Sequence, residues 1–224
     1  MIAIRPELSE LPPHMRALPI DERGYPVPWF VDWLNGKPEF RAADGRKWAR
    51  AVKESLCWVC GGVLGRHRTF VIGPMCAVNR TTSEPPCHHD CAEWSARNCP
   101  FLARPTMVRR EDDTLNNEAL IAAAPGVAIP RNPGVALLWC THRRGGYSLY
   151  RTGDGRGSGY LFALETPDRV EWYCEGRPAT RGEVETSIDS GLPLLREIAR
   201  QDGPHAVQAL DQYHARAIAL YPVA

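Results

Sequence analysis

Apolar positions recur along this chain with different spacings, and each spacing marks a different stretch. Between Ala43 and Leu56 the residues Trp48, Val52 and Leu56 return every four positions, which predicts an amphipathic helix with Asp44 as its N-cap. Thr69-Phe70-Val71-Ile72 is a β-rich run. Pro86 stops the chain before a second predicted helix, which starts near Asp90 and runs to about Asn98, ahead of Pro100. Farther on the period changes. Val135 to Thr141 reads as a buried strand, Arg143-Arg144-Gly145-Gly146 as a hairpin turn and Tyr147 to Thr152 as the returning strand. Gly159 to Glu165 and Arg169 to Tyr173 add two strands, with alternation at Val170, Trp172 and Cys174. Thr180 and Glu183 form a capping box that opens a helix to about Asp189. Ser190-Gly191-Leu192-Pro193 is read as a break, and Leu194 to Ala199 and Ala206 to Leu220 as the last helices.

Proline and glycine divide the chain into four parts. Residues 1–40 hold seven of the twenty prolines, which excludes helix through most of that stretch and predicts an extended arm. Tyr25, Trp29, Phe30 and Trp33 give that arm an aromatic face that could pack on a neighbouring surface or hold a peptide. Residues 41–102 form a cysteine-rich module. Residues 103–134 read as a linker, with a mixed-charge run at Arg109 to Asp113, a short helix from Leu115 to Ala124 and breaks at Pro125-Gly126, Pro130 and Pro133-Gly134. Residues 135–224 are strands followed by helices. An antiparallel meander with C-terminal helices behind a metal module argues an α+β fold.

Composition sets bounds. The chain has 224 residues, 44% apolar and 24% charged, with a formal net charge of +1, so no global field calls for a nucleic-acid or membrane partner. No apolar run is long enough for a membrane span, and Met1 to Glu10 lacks the apolar block of a signal peptide; a cytoplasmic location is expected. Of the basic residues only Lys37, Lys47 and Lys53 are lysines; a GC-rich genome accounts for the arginine excess more simply than phosphate binding does. Between residues 41 and 68, seven basic residues stand against Asp44 and Glu54, a local charge of +5. Arg46, Lys47, Arg50, Lys53, Arg66 and Arg68 are the nucleic-acid-binding candidates of that stretch, the simpler reading being a solvated face.

Six of the eight cysteines fall between residues 57 and 99. In a reducing compartment, close cysteine pairs bind metal more often than they form disulfides. Cys57-Trp58-Val59-Cys60-Gly61-Gly62 is a zinc-knuckle pattern, whose glycines permit the positive φ that turns amides toward the sulfurs. The second pair of ligands is expected at the start of the helix after Pro86. His88 and Cys91 are three apart and share a face there; Cys87 with Cys91 is the rival choice, and His89 is expected to face solvent or support a ligand. Knuckle plus helix N-terminus is a treble-clef arrangement. The chosen set is Cys57, Cys60, His88 and Cys91, holding one structural Zn²⁺. Cys76, Cys99, Cys140 and Cys174 read as packed thiols.

The run Cys57-Trp-Val-Cys60-Gly61, then Ile72-Gly-Pro-Met-Cys-Ala-Val-Asn-Arg80, then Ser83-Glu-Pro-Pro86, then His88 ahead of Cys91-Ala92-Glu93, resembles a family of bacteriophage and prophage proteins that carries no assigned activity. The likeness covers about residues 55–102. Positions 88 and 91 belong to the family pattern and positions 87 and 89 do not, which implies the ligand set just given. It further implies a phage or mobile-element origin, with a host cytoplasm as the location.

Other chemistry finds weaker footing. Gly153 to Gly159 has alternating glycines but no Walker lysine, and reads as a hairpin tip. A zinc deaminase needs His-x-Glu and Pro-Cys-x-x-Cys, and a zincin needs His-Glu-x-x-His; none occurs. An HNH-type nuclease could align His67, Asn79 and His88, but His88 would then be lost to the structural zinc. Cys140 and His142 share a strand face without an identifiable orienting acid, and Arg143, Asp154 and Glu165 could belong to a dispersed site. Three classes of function follow. A non-catalytic adaptor for a protein partner comes first, a nucleic-acid binder second and the nuclease third; no small-molecule cofactor and no membrane partner are expected.

Overall fold

A computed structural model describes residues 3–103, 134–142, 145–153 and 159–223. The expected helix at 115–124, the glycine-rich tip, Arg143 and Asp154 lie outside the described residues. The chain is α+β, with antiparallel sheets and C-terminal helices. Its centre is a four-stranded sheet built from β3 (His67–Ile72), β5 (Val135–His142), β8 (Arg169–Cys174) and β9 (Arg177–Pro178) in that spatial order. β4 (Thr81–Thr82), β7 (Tyr160–Leu164) and β6 (Tyr147–Arg151) form a second sheet, and β1 (Val31–Leu34) with β2 (Lys37–Ala43) a hairpin.

The expected meander is therefore corrected. β5 does not pair with β6; it lies between β3 and β8, with Phe70 opposite Trp139 and Leu137 opposite Trp172. The reason is burial. Val135 to Trp139 are all buried, so this strand needs cover on both faces and takes a central place. β6 is largely exposed and serves as an edge, paired among the described residues to β7 alone. Because β3 comes from the cysteine-rich stretch and β5 from beyond residue 134, the two segments build one sheet.

Strand alternation gives that sheet two different faces. Phe70, Ile72, Leu137, Trp139 and Trp172 turn toward the C-terminal helices, meeting Val184, Ile188, Leu192 and Leu210. Val71, Leu138, Cys140 and Tyr173 turn to the opposite side, where they meet Trp58, Leu64, Cys91 and Trp94. The result is a layered molecule with helices on one side of the sheet and the cysteine-rich module on the other.

Helix α1 (Gly45–Glu54) starts as expected, Asp44 accepting from the Arg46 amide at 2.8 Å. α2 (Pro74–Asn79), α3 (His89–Asn98) and α4 (Pro100–Ala103) follow. α5 (Arg181–Asp202) opens with the complete capping box of Thr180 and Glu183. It does not break at Ser190 to Pro193 but runs through Pro193 to Asp202, followed by α6 (Pro204–Ile218). Burial of Ile188 and Leu192 holds the helix together there. Gly191 serves close packing rather than termination, since a Cβ on it would come within 2.7 Å of the Met75 sulfur on α2.

The N-terminal stretch is extended, as its prolines require, and is packed down. Trp29 donates its amide to the Val59 carbonyl at 2.7 Å, and Phe30 stacks on Trp58 with centroids 4.9 Å apart. Ser9 and Asn98 exchange hydrogen bonds that tie the arm to α3. β1 and β2 meet at Asn35-Gly36, both with positive φ (51° and 76°), the conformation of a type I′ turn.

Candidate metal centre

Cys57, Cys60, His88 and Cys91 converge, with their ligating atoms all within 4.8 Å of one another. This is the set expected from the sequence. The local fold explains the convergence. After α1, Ser55 takes a left-handed conformation and Leu56 bridges to Val63, folding the knuckle back on itself. Cys57 and Cys60 lie within that loop. Thr69 and Cys87 then exchange a pair of backbone hydrogen bonds (3.1 and 2.7 Å), an antiparallel bridge that ties the segment entering α3 to β3. His88 follows it at the N-cap of α3, with Cys91 in the first turn. One pair of donors thus comes from the knuckle and the other from a helix N-terminus, the arrangement expected of a treble-clef-like site.

The sulfurs sit among amide donors. Cys57 Sγ accepts from the amides of Cys60 (3.5 Å) and His88 (3.3 Å), and Cys60 Sγ from that of Gly62 (3.4 Å). Hydrogen bonds from Cys60 and then Cys87 and Cys91 hold the Cys57 thiol far below the ordinary range. That thiolate, through hydrogen bonding, then pushes Cys91 up, with burial adding to the effect. His88 is pushed up to about 10, chiefly by Cys57 and then by Cys60. Without metal, the Cys57 thiolate is thus balanced by protons held on its neighbours, and a dication would take the place of those protons.

His88 is oriented for ligation. Its Nδ1 lies 3.3 Å from Cys60 Sγ and 4.0 Å from Cys91 Sγ, while Nε2 meets the Val63 carbonyl at 3.1 Å. A carbonyl only accepts, so Nε2 keeps its proton, and Nδ1, which faces the thiols, is the nitrogen that would bind metal on giving up its own. The rival Cys87 is not among the four. It is buried, its thiol pushed up by hydrogen bonding to Cys57 and by desolvation. His89 turns away and bonds Glu171 at 2.8 Å. Gly61 has φ 74°, and a Cβ there would meet the Trp29 ring at 2.7 Å. The knuckle glycine thus serves both the turn and the arm lying on it.

Sequence reasoning missed His14. Its ring stacks on His88 at 4.1 Å and 10°, and its Nε2 lies 3.9 Å from Asp90. Pro12-Pro13-His14 carries no ligand spacing that could have flagged it. Also missed was a second cluster, His89, Cys140 and Glu171. Among the other cysteines, burial pushes Cys76 and Cys174 up to about 11 and raises Cys99 as well.

The basic stretch does not present all of its candidates to solvent. Arg68 is corrected as a candidate: it is 1% exposed, because β3 alternation points it inward with Phe70 and Ile72. Arg46 pairs with Asp44 at 3.2 Å, and Arg50 pairs with Glu54 at 3.1 Å while covering Trp29. Lys47 donates to the Val31 carbonyl at 2.9 Å. Lys53 and Arg66 are exposed. The residues of the nuclease alignment each have other partners. His88 faces the thiols, Asn79 accepts from the Thr81 amide and hydroxyl, and His67 lies edge-on to His142 at 4.5 Å. His142 in turn bonds Asp168 at 2.7 Å rather than Cys140.

No family model, curated protein or solved structure matches the chain. Among the described residues, no helix is long and apolar enough to cross a membrane.

Proposed function

We propose that the chain is a zinc-stabilised adaptor of phage or mobile-element origin, which binds a protein partner and carries no catalysis of its own. Zinc is the metal that three thiolates and one imidazole suit best, and four protein donors leave no position open for substrate. The metal is then structural, and its role is to fix the arm and hairpin against the sheet. The origin rests on the resemblance in residues 55–102 alone.

The observation that carries the adaptor reading is the β1–β2 hairpin. Its inner face, Val31, Glu39 and Arg41, is held against the body, the Glu39–Arg41 pair at 2.8 Å included. Its outer face and tip leave Trp33, Leu34 and Phe40 at 43%, 39% and 37% exposure. Exposed aromatic side chains on a rigid projection are the usual anchors of protein interfaces. Of the four arm aromatics noted in the sequence, Trp33 alone points outward; Trp29 and Phe30 pack on the knuckle, and Tyr25 lies under Arg5 and Arg23.

The reading is tested with tagged full-length protein in lysate of the host cell, comparing wild type with Trp33→Asp/Phe40→Asp. The expected result is a partner captured by wild type and lost in the double variant at unchanged zinc content. Identical capture by both proteins contradicts the proposal. Nucleic-acid binding is the second reading, and the internal pairing of Arg46, Lys47 and Arg50 weighs against it. It requires DNA or RNA affinity that falls steeply with salt. Such binding, reduced by Lys53→Ala and Arg66→Ala, would put it first.

A further inference from the structure

A second donor cluster lies on the sheet face beneath α3. His89 is the first residue of α3, Cys140 lies on β5 and Glu171 on β8. One ligating atom from each falls within 4.8 Å of the others, and all three side chains are half-buried. Register explains the meeting. Cys140 is opposite Arg169 and Leu138 opposite Glu171, so Cys140 and Glu171 share the face that packs on the cysteine-rich module. The backbone direction that sends His88 to the thiols sends His89 to this face.

We propose that His89, Cys140 and Glu171 form a second, weaker site for a divalent transition metal ion, separate from the four-ligand centre. A nitrogen, a sulfur and a carboxylate oxygen are the donor types of open zinc sites, which use three protein ligands and leave the fourth position to water. The donors are oriented by neighbours. Glu171 Oε2 accepts from the Tyr173 hydroxyl at 3.2 Å, and Cys140 Sγ accepts from the Thr69 hydroxyl at 3.6 Å. His89 Nε2 and Glu171 Oε1 are 2.8 Å apart, and donors on one tetrahedral zinc stand about 3.5 Å apart, so small side-chain shifts suffice. A cation is already part of the arrangement. Arg169 reaches Glu171 Oε1 at 2.9 Å and lies directly opposite Cys140 in the strand register. Its side chain is 59% exposed, free to swing into solvent when a dication takes its place. Metal uptake sends the Cys140 thiol proton to solvent and moves the proton of His89 Nε2, which faces the Glu171 carboxylate at 2.8 Å, to Nδ1 or to solvent; the His89–Glu171 hydrogen bond and the Arg169–Glu171 ion pair give way to bonds to the metal.

The test is a Co²⁺ titration of full-length protein already carrying one equivalent of zinc, followed by the thiolate charge-transfer band and by metal content. A second equivalent is expected, showing one thiolate. Cys140→Ser should abolish it, and Glu171→Gln should weaken it at least about tenfold. Both variants should keep the first equivalent and the wild-type circular dichroism spectrum, which separates ligand loss from misfolding. Arg169→Ala should tighten the second equivalent by removing the competing cation. Absence of a second equivalent in wild type, or its persistence in Cys140→Ser, overturns the proposal. Failure of Arg169→Ala to tighten it overturns the replacement of Arg169 by metal.

Discussion

Changing Cys57 to Ser tests what the four-ligand centre does for the fold. Cys57 is fully buried, accepts two backbone amides and is the thiol most readily ionised. A serine oxygen is shorter, harder and not ionised at neutral pH, so the variant should lose the metal. A structural zinc contributes roughly 10 kcal/mol or more of apparent binding energy in small fingers. A whole domain has only about 5–15 kcal/mol of net stability. The apolar cluster around the centre, with Trp58, Val59, Leu64 and Trp94 as members, stabilises by about 1.5–3 kcal/mol for each large side chain. That is too little to hold the knuckle closed around two thiols and an imidazole deprived of their cation. The module should therefore open, uncovering Leu138 and Tyr173 on its side of the sheet. The helices on the other side keep their own core, so helical signal should persist. The assay combines metal content, near-ultraviolet circular dichroism of the tryptophans and thermal unfolding. Loss of metal and of tryptophan dichroism, with much of the far-ultraviolet signal retained, is expected. A variant that keeps one equivalent of zinc and melts like wild type refutes the reasoning.

Further outcomes follow from the same geometry. Gly61→Ala meets both a left-handed backbone and the Trp29 ring, and should cost about 1–3 kcal/mol, read as a lower thermal midpoint; an unchanged midpoint would mean the arm is not seated on the knuckle. Metal uptake at neutral pH should release protons from Cys91 and His88, whose affinities for protons are raised in the metal-free cluster, His88 to about 10. Zinc affinity should therefore rise with pH toward about 10 and fall in acid, checked by calorimetry in buffers of different ionisation enthalpy. Glu183 is held down to about 2 by Arg177 and the Thr180 backbone, below its ordinary 4.5. Its contribution is present above pH 4.5 and is lost as pH falls through about 2. Glu183→Gln should thus lower stability by roughly 1 kcal/mol at pH 7, and by less and less as pH falls through that window; an equal loss at both ends would contradict the capping account.

The convergence of Cys57, Cys60, His88 and Cys91 was legible because its signal is local. Cys57 and Cys60 lie within one tight turn, and His88 and Cys91 within one helical turn, so spacing alone brings each pair together. The capping residues Asp44 and Thr180 were legible for the same reason. Strand order was not, because it depends on burial at both faces of β5, which the run from Val135 to Trp139 implies without naming the neighbours. Asn35-Gly36 is a strong hairpin signal, hidden by the surrounding prolines that read as an arm. Gly191 and Pro193 resemble a helix stop. Yet tertiary burial of Ile188 and Leu192 overrides local propensity there, and the missing Cβ is what Met75 requires. Arg68 shows the limit of counting charge along a chain, since one strand position decides whether a basic residue faces solvent or core. The cluster of His89, Cys140 and Glu171 joins residues up to 82 positions apart, which only the folded sheet assembles.

The most direct test of the central claim is X-ray absorption at the zinc edge on protein carrying one equivalent of metal. Three sulfur donors at about 2.3 Å and one nitrogen at about 2.0 Å are expected, the nitrogen lost in His88→Ala. Four sulfurs would place Cys87 in the shell and contradict the ligand set, and a shell of nitrogen and oxygen donors would contradict the centre altogether.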